Sequence, residues 1–139
     1  MQTAWSIGED FATHWYFSYN VWLWTGEIFG IFIAVGSLIT ASHPSFIAKY
    51  VDIRLIAFLV ATVASINAFL DPLGRAKVFG QALAALDVEL NGLQIDLATN
   101  ADQKVIDEAL ERMKIAIANG TLAIRNQAVA IRPQATEKH

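Results

Sequence analysis

The feature that most restricts this chain is a pair of apolar stretches, 21–40 and 51–70. Each is about the ~20 residues that a helix needs to cross a ~30 Å hydrocarbon layer. Between Leu55 and Leu70 there is no charged residue, and the first stretch, VWLWTGEIFGIFIAVGSLIT, carries only Glu27. A soluble bundle of 139 residues with mean hydropathy +0.40 would struggle to bury two helices that are apolar on every side. The expectation is an all-α membrane protein, a two-helix transmembrane hairpin followed by a cytosolic helical hairpin or coiled coil.

The segment before the first stretch, MQTAWSIGEDFATHWYFSYN, has no Lys or Arg and carries Glu9 and Asp10. That is the wrong flank for a cleaved secretory signal. Residues 1–20 therefore read as an N-terminal interfacial segment, with Trp15, Tyr16, Tyr19, Trp22 and Trp24 at the depth of the headgroups, where such rings prefer to sit. There is no cysteine, which removes disulfides, thiolate metal sites and thiol nucleophiles. The net charge is −3 and no basic tract is present, so nucleic-acid binding has no support.

Charge returns after Leu70. Lys49 and Arg54 face Glu9, Asp10, Glu27 and Asp52 in the first half, while eight basic and nine acidic residues follow, a density suited to water. Asp71-Pro72 marks the division, with Asp71 as a candidate N-cap and Pro72 in the first turn of a new helix. Ala76, Phe79, Leu83, Leu86, Leu90, Leu93 and Leu97 then recur at steps of three and four, a heptad seam in need of a partner. Asn100-Ala101-Asp102 supplies a turn and a cap, and Ile106, Leu110, Met113 and Ile117 repeat the spacing. Asn119-Gly120 reads as a helix stop. The predicted organisation is thus a hairpin over 21–70, a helical hairpin over 71–120, and a short helix and tail over 121–139. The short connection favours antiparallel folding of the two seams. An intermolecular coiled coil through Leu83, Leu86, Leu90, Leu93 and Leu97 is equally compatible with the spacing.

Within the apolar stretches two stripes of small residues stand out, Gly26, Gly30 and Ala34 in the first and Ala57, Ala61, Ala64 and Ala68 in the second. Small residues let helix backbones approach closely in lipid, zipping the hairpin or packing subunits together. Glu27 is the sharpest single residue. An ionised carboxylate in a span costs roughly 2.5 kcal/mol or more on insertion scales, so it should meet protein, water or a partner group. In simple antiparallel register it falls near Thr62 and Ser65, with Asn67 nearer the interface, a candidate polar lining. It reads as a ring around an oligomeric pore, a structural acid near the interface, or a proton- or ion-coupling site.

Elsewhere the chemistry is thin. No HExxH, Ser/His/Asp arrangement, phosphate loop or dinucleotide fingerprint is present. Asp87, Glu89, Asp96, Asp107, Glu108 and Glu111 read as solvated helix faces. No enzyme activity, metal or cofactor is expected. Orientation rests on a tie between Lys49 and Arg54 on one side and Arg75 and Lys77 on the other. The long charged tail favours both termini in the cytoplasm, in a bacterial inner membrane.

Two closely spaced spans, the restart at DPLGRAKVFGQALAALDVEL and the second helix DQKVIDEALERMKIAIANG together resemble the SLATT group of bacterial two-span effector domains, over Tyr19 to Gly120. The resemblance implies a cytosolic helical domain that helps the spans assemble, and a pore-forming or membrane-perturbing output in anti-phage defence. This chain lacks the nucleotide-signalling module of the fused members, so the resemblance implies a separate signalling partner. The expected function is a homo-oligomeric membrane protein that forms or gates a pore. The alternatives are a non-conducting scaffold or accessory subunit of a larger membrane assembly, viral ones included, and a phage holin.

Overall fold

A computed structural model describes residues 2–130, and these are helical from end to end apart from short connections. The helices are α1 (Gln2–Ser42), α2 (Ser45–Ala48), α3 (Ile53–Leu70), α4 (Pro72–Ala98) and α5 (Gln103–Ala130). The expected frayed tail, QATEKH, lies outside the described residues. Two of the helical stretches are long and apolar enough to cross a membrane. The chain divides into two units, 22–73 on one hand and 2–21 with 74–130 on the other.

Three helix ends share one device. His43, Asp71 and Asn100 close α1, α3 and α4 with φ of 44°, 43° and 49°. This left-handed conformation turns the chain out of the helix and is least costly for Gly, Asn and Asp. The Asp71 N–H donates to the Asn67 carbonyl at 2.9 Å, and the Ala101 N–H reaches back to the Asp96 carbonyl at 3.0 Å. Asp71 is therefore the terminator of α3. At the start of α3, the Asp52 carboxylate does cap, accepting from the Arg54 N–H at 2.9 Å.

In the unit formed by 2–21 and 74–130, the buried cluster comprises Trp15 from α1, Ala82, Leu86, Leu90 and Leu93 from α4, and Ile106, Ala109 and Met113 from α5. The seams expected on α4 and α5 are this core, with Leu83, Leu110 and Ile117 packed against it. Leu97, at the end of the seam, is 36% exposed. Two expectations are corrected here. The N-terminal segment is not separate from the first apolar helix: α1 runs unbroken through it, and Trp5, Ala12 and Trp15 join the core. Nor does Asn119-Gly120 stop a helix. α5 passes through it to Ala130, because Gly120 lies against the Trp15 ring, where a Cβ would come within 2.5 Å of Cη2. The small residue marks a close approach, not a break.

The same contacts give the direction of each helix. Along α1, Gly8 approaches Leu90 and Met113, and Tyr19 approaches Gly80. Thus α4 runs against α1. Across α4 and α5, Glu89 pairs with Arg112 at 3.3 Å and Ala82 meets Gly120, so these two are also antiparallel.

The unit 22–73 is held differently. Its buried positions are Gly26, Gly36 and Pro72, and α3 has no buried residue. Gly26 abuts Leu73 and Pro72, while Gly36 abuts Val60. As α1 advances its neighbours retreat, so α3 runs against α1. The contact seam on α1 is Trp22, Gly26, Phe29, Ile33, Gly36 and Thr40, and on α3 it includes Ile56, Val60, Val63, Asn67 and Leu70. Steps of three and four keep such a seam on one face of a helix.

Candidate functional site

The residues singled out for the apolar stretches can now be placed one by one. Of the first stripe, Gly26 is in the seam, whereas Gly30 has nothing within 4 Å of a would-be Cβ and Ala34 is exposed. Gly36, absent from that stripe, makes the other close approach, and steps of seven rather than four would have found its register with Phe29 and Trp22. Of the second stripe, Ala57 and Ala64 flank the seam half-buried, and Ala61 and Ala68 are exposed.

A helix turns about 100° per residue, so each seam has two flanks. On α1 one flank is Glu27, Gly30, Ala34, Ser37 and Ala41, all exposed, and the other is Ile28, Phe32, Val35 and Ile39. On α3 one flank holds Ala57, Ala61, Ala64 and Ala68 with Ser65 beside them, and the other Leu55, Leu59 and Ile66. In an antiparallel pair, flanks reached by the same rotation from the seam fall on the same side. A groove of about 540 Å³ bears this out, since it is lined by Ile28, Ile31, Phe32, Val35 and Ile39 together with Ile56 and Leu59. The bulky flanks share one side. The small and polar flanks share the other, a smooth side with Glu27 at one end.

The polar quartet does not assemble. Gly26 faces Leu73, so Glu27 is level with the Asp71-Pro72 junction, about 10 Å along the axis from the level of Ser65 and about 14 Å from that of Thr62. The expected register placed the turn between Thr40 and Val51. Instead α1 continues to Ser42 and α3 starts at Ile53, which moves the turn two residues on and slides the strands of the pairing by about a helical turn. The Thr62 hydroxyl donates to the Phe58 carbonyl at 2.9 Å and Ser65 to the Ala61 carbonyl at 2.8 Å, so each is satisfied on its own helix. This back-bonding is the usual recourse of Ser and Thr inside helices. Asn67 lies in the seam, and its side-chain oxygen is buried without a hydrogen-bond partner among the described residues. An unpaired acceptor of that kind costs ~1–3 kcal/mol.

Leu86, Leu90 and Leu93, proposed by spacing for an intermolecular coiled coil, are 0%, 6% and 1% exposed within one chain. They are part of this chain's own core. The acidic faces remain solvated as expected: Glu89 pairs with Arg112 and Glu111 with Lys114 on the exposed surface. Among the described residues, no group of three or more His, Asp or Glu side chains is arranged to hold a metal ion.

No family model, curated protein or solved structure matches the chain.

Proposed function

We propose that the protein is a homo-oligomeric integral membrane protein whose 22–73 unit forms a transmembrane hairpin and whose copies assemble through the smooth side of that hairpin to form or gate a pore. The observation that carries this reading is the clustering of Gly30, Ala34, Ser37 and Ala41 with Ala57, Ala61, Ala64 and Ala68 on one exposed side, headed by Glu27. In lipid, where apolar surface gains nothing by association, such small residues favour close helix contact. A carboxylate at the end of the same side is costly against hydrocarbon and is relieved by water or by a partner. Glu27 would thus stand at a mouth of the assembly, not at its midpoint.

The hairpin topology has separate support. Trp5, Ala12 and Trp15 share a core with α4 and α5, which requires the chain before the first span and after the second to lie on the same side of the membrane. An even number of spans satisfies that. We place this side in the cytoplasm, in keeping with the charged α4 and α5. The role is non-catalytic. The resemblance to two-span defence effectors adds a trigger supplied by a separate signalling partner.

The internally bonded hydroxyl of Ser65 beside the small flank favours a second reading, in which the smooth sides pack without water and the chain anchors a larger membrane assembly. Purified full-length chain in nanodiscs, its oligomeric mass, and ion flux across liposomes for wild type and Glu27→Gln distinguish the two. A defined oligomer whose conductance or selectivity changes with the substitution is expected. An oligomer that passes no ions in either form supports the scaffold, and a monomer that remains silent overturns the pore.

A further inference from the structure

We infer that the connection between α1 and α3 is an interfacial anchor that binds the headgroups of anionic phospholipids through Lys49 and Arg54, with Phe46 and Tyr50 seated beside them at the bilayer surface. The inference rests on the membrane reading above and concerns the end of the hairpin remote from the Asp71-Pro72 junction.

Tyr50 and Phe46 are the most exposed large apolar side chains of the described residues, at 80% and 70%. Between them the backbone closes on itself: the Ile47 carbonyl accepts from the Tyr50 and Val51 N–H groups, each at 2.9 Å, and Ile47 itself is half-buried. The single turn of α2 therefore holds both rings outward without enlisting either in the fold. The Tyr50 ring, with its polar edge, is at home where hydrocarbon gives way to headgroups, the wholly apolar Phe46 ring gains by entering the hydrocarbon beside it, and the connection between two spans lies at that depth.

Charge selects the kind of headgroup. The Lys49 ammonium lies 5.8 Å from the centre of the Tyr50 ring, so cation and ring form one patch. Arg54 follows in the first turn of α3. The acid of this segment, Asp52, has its carboxylate engaged by the Arg54 N–H as the cap of α3. Neither cation is in a salt bridge among the described residues. Phosphate oxygens are the acceptors that suit an ammonium and a guanidinium held at such a surface. A second copy does not, because it would bring the same two cations face to face.

The full chain reconstituted in nanodiscs of phosphatidylcholine alone, or of phosphatidylcholine mixed with phosphatidylglycerol, provides the test, with bound lipid counted by native mass spectrometry. Each cation near an anionic surface is worth about a fivefold preference. Wild type should therefore retain phosphatidylglycerol several-fold over its share of the mixture. The pair Lys49→Gln and Arg54→Gln should bring retention to parity, and the charge-keeping pair Lys49→Arg and Arg54→Lys should restore it. Two outcomes overturn the inference: wild type that inserts but shows no preference, or a Gln pair that keeps it. A chain that floats with no liposomes of either composition fails earlier, and removes the membrane reading itself.

Discussion

Leu86, Leu93 and Met113 are almost completely buried where α4 and α5 meet the start of α1, whereas α3, an 18-residue helix, contains no buried residue. Both regions are antiparallel helices with seams at steps of three and four. In the first, the seam is filled by leucines and closed by a tryptophan. Burying such a side chain contributes about 1.5–3 kcal/mol by removing it from water. In the second, the helices touch where side chains are missing, at Gly26 and Gly36, and the large residues face outward. That distribution is what a lipid solvent rewards, since exposure of leucine or phenylalanine there costs nothing and backbone proximity is what remains to be gained. Identical periodicity thus encodes two kinds of cohesion, and the choice lies in residue size at the seam.

Five substitutions sharpen or break this contrast. The largest effect is expected for Leu86→Ala, which opens a cavity in the leucine core and should lower unfolding stability by ~2–5 kcal/mol, as followed by denaturant titration of the detergent-solubilised chain. A loss below ~1 kcal/mol would mean that the core contributes little. Next comes Gly36→Leu, which forces bulk against Val60 and should cost ~1–3 kcal/mol. Its control, Gly30→Ala, adds a methyl group to open space and should leave the pair intact. Equal damage from both would disprove the seam described here. Gly92→Ala should stabilise by ~0.5–1 kcal/mol, because Gly92 lies inside α4 with nothing near it and alanine is the better helix former. The smallest effect belongs to Arg112→Ala. Its bridge to Glu89 is made by side chains 54% and 28% exposed, and solvent screening holds its loss below ~1 kcal/mol. A larger change in melting temperature than Leu86→Ala produces would invert the ranking.

Much of this was legible in the residues. Two apolar stretches of spanning length, nearly free of charge, announced the apolar helices, Asp71-Pro72 announced the break between α3 and α4, and the leucine seam announced the core of α4 and α5. What periodicity along one segment cannot convey is which distant segment completes a core. Trp15 was read as a headgroup aromatic because it precedes a span, and its partners, Ala82 and Gly120, are far along the chain. Gly120 was read as a stop because glycine serves both to end helices and to admit a neighbouring ring, and only the neighbour tells these apart. The level of Glu27 differs from the expected one for a related reason. Register in a helical pair depends on where the turn begins and ends, and a shift of two residues in each helix there moves an acid by about a turn along its partner.

The division of the core-bearing unit between the two ends of the chain dictates an order of events at the ribosome. Gly8 and Trp15 are synthesised about 105 residues ahead of Met113 and Gly120, against which they close. At ~5–20 residues per second that delay is roughly 5–20 s. During it the nascent α1 carries Trp5 and Trp15 without the residues that will cover them, while both apolar helices are made and must find their own surroundings. The core can close only after the whole of 22–73 has been made, so completion of the bundle follows the synthesis of both apolar helices.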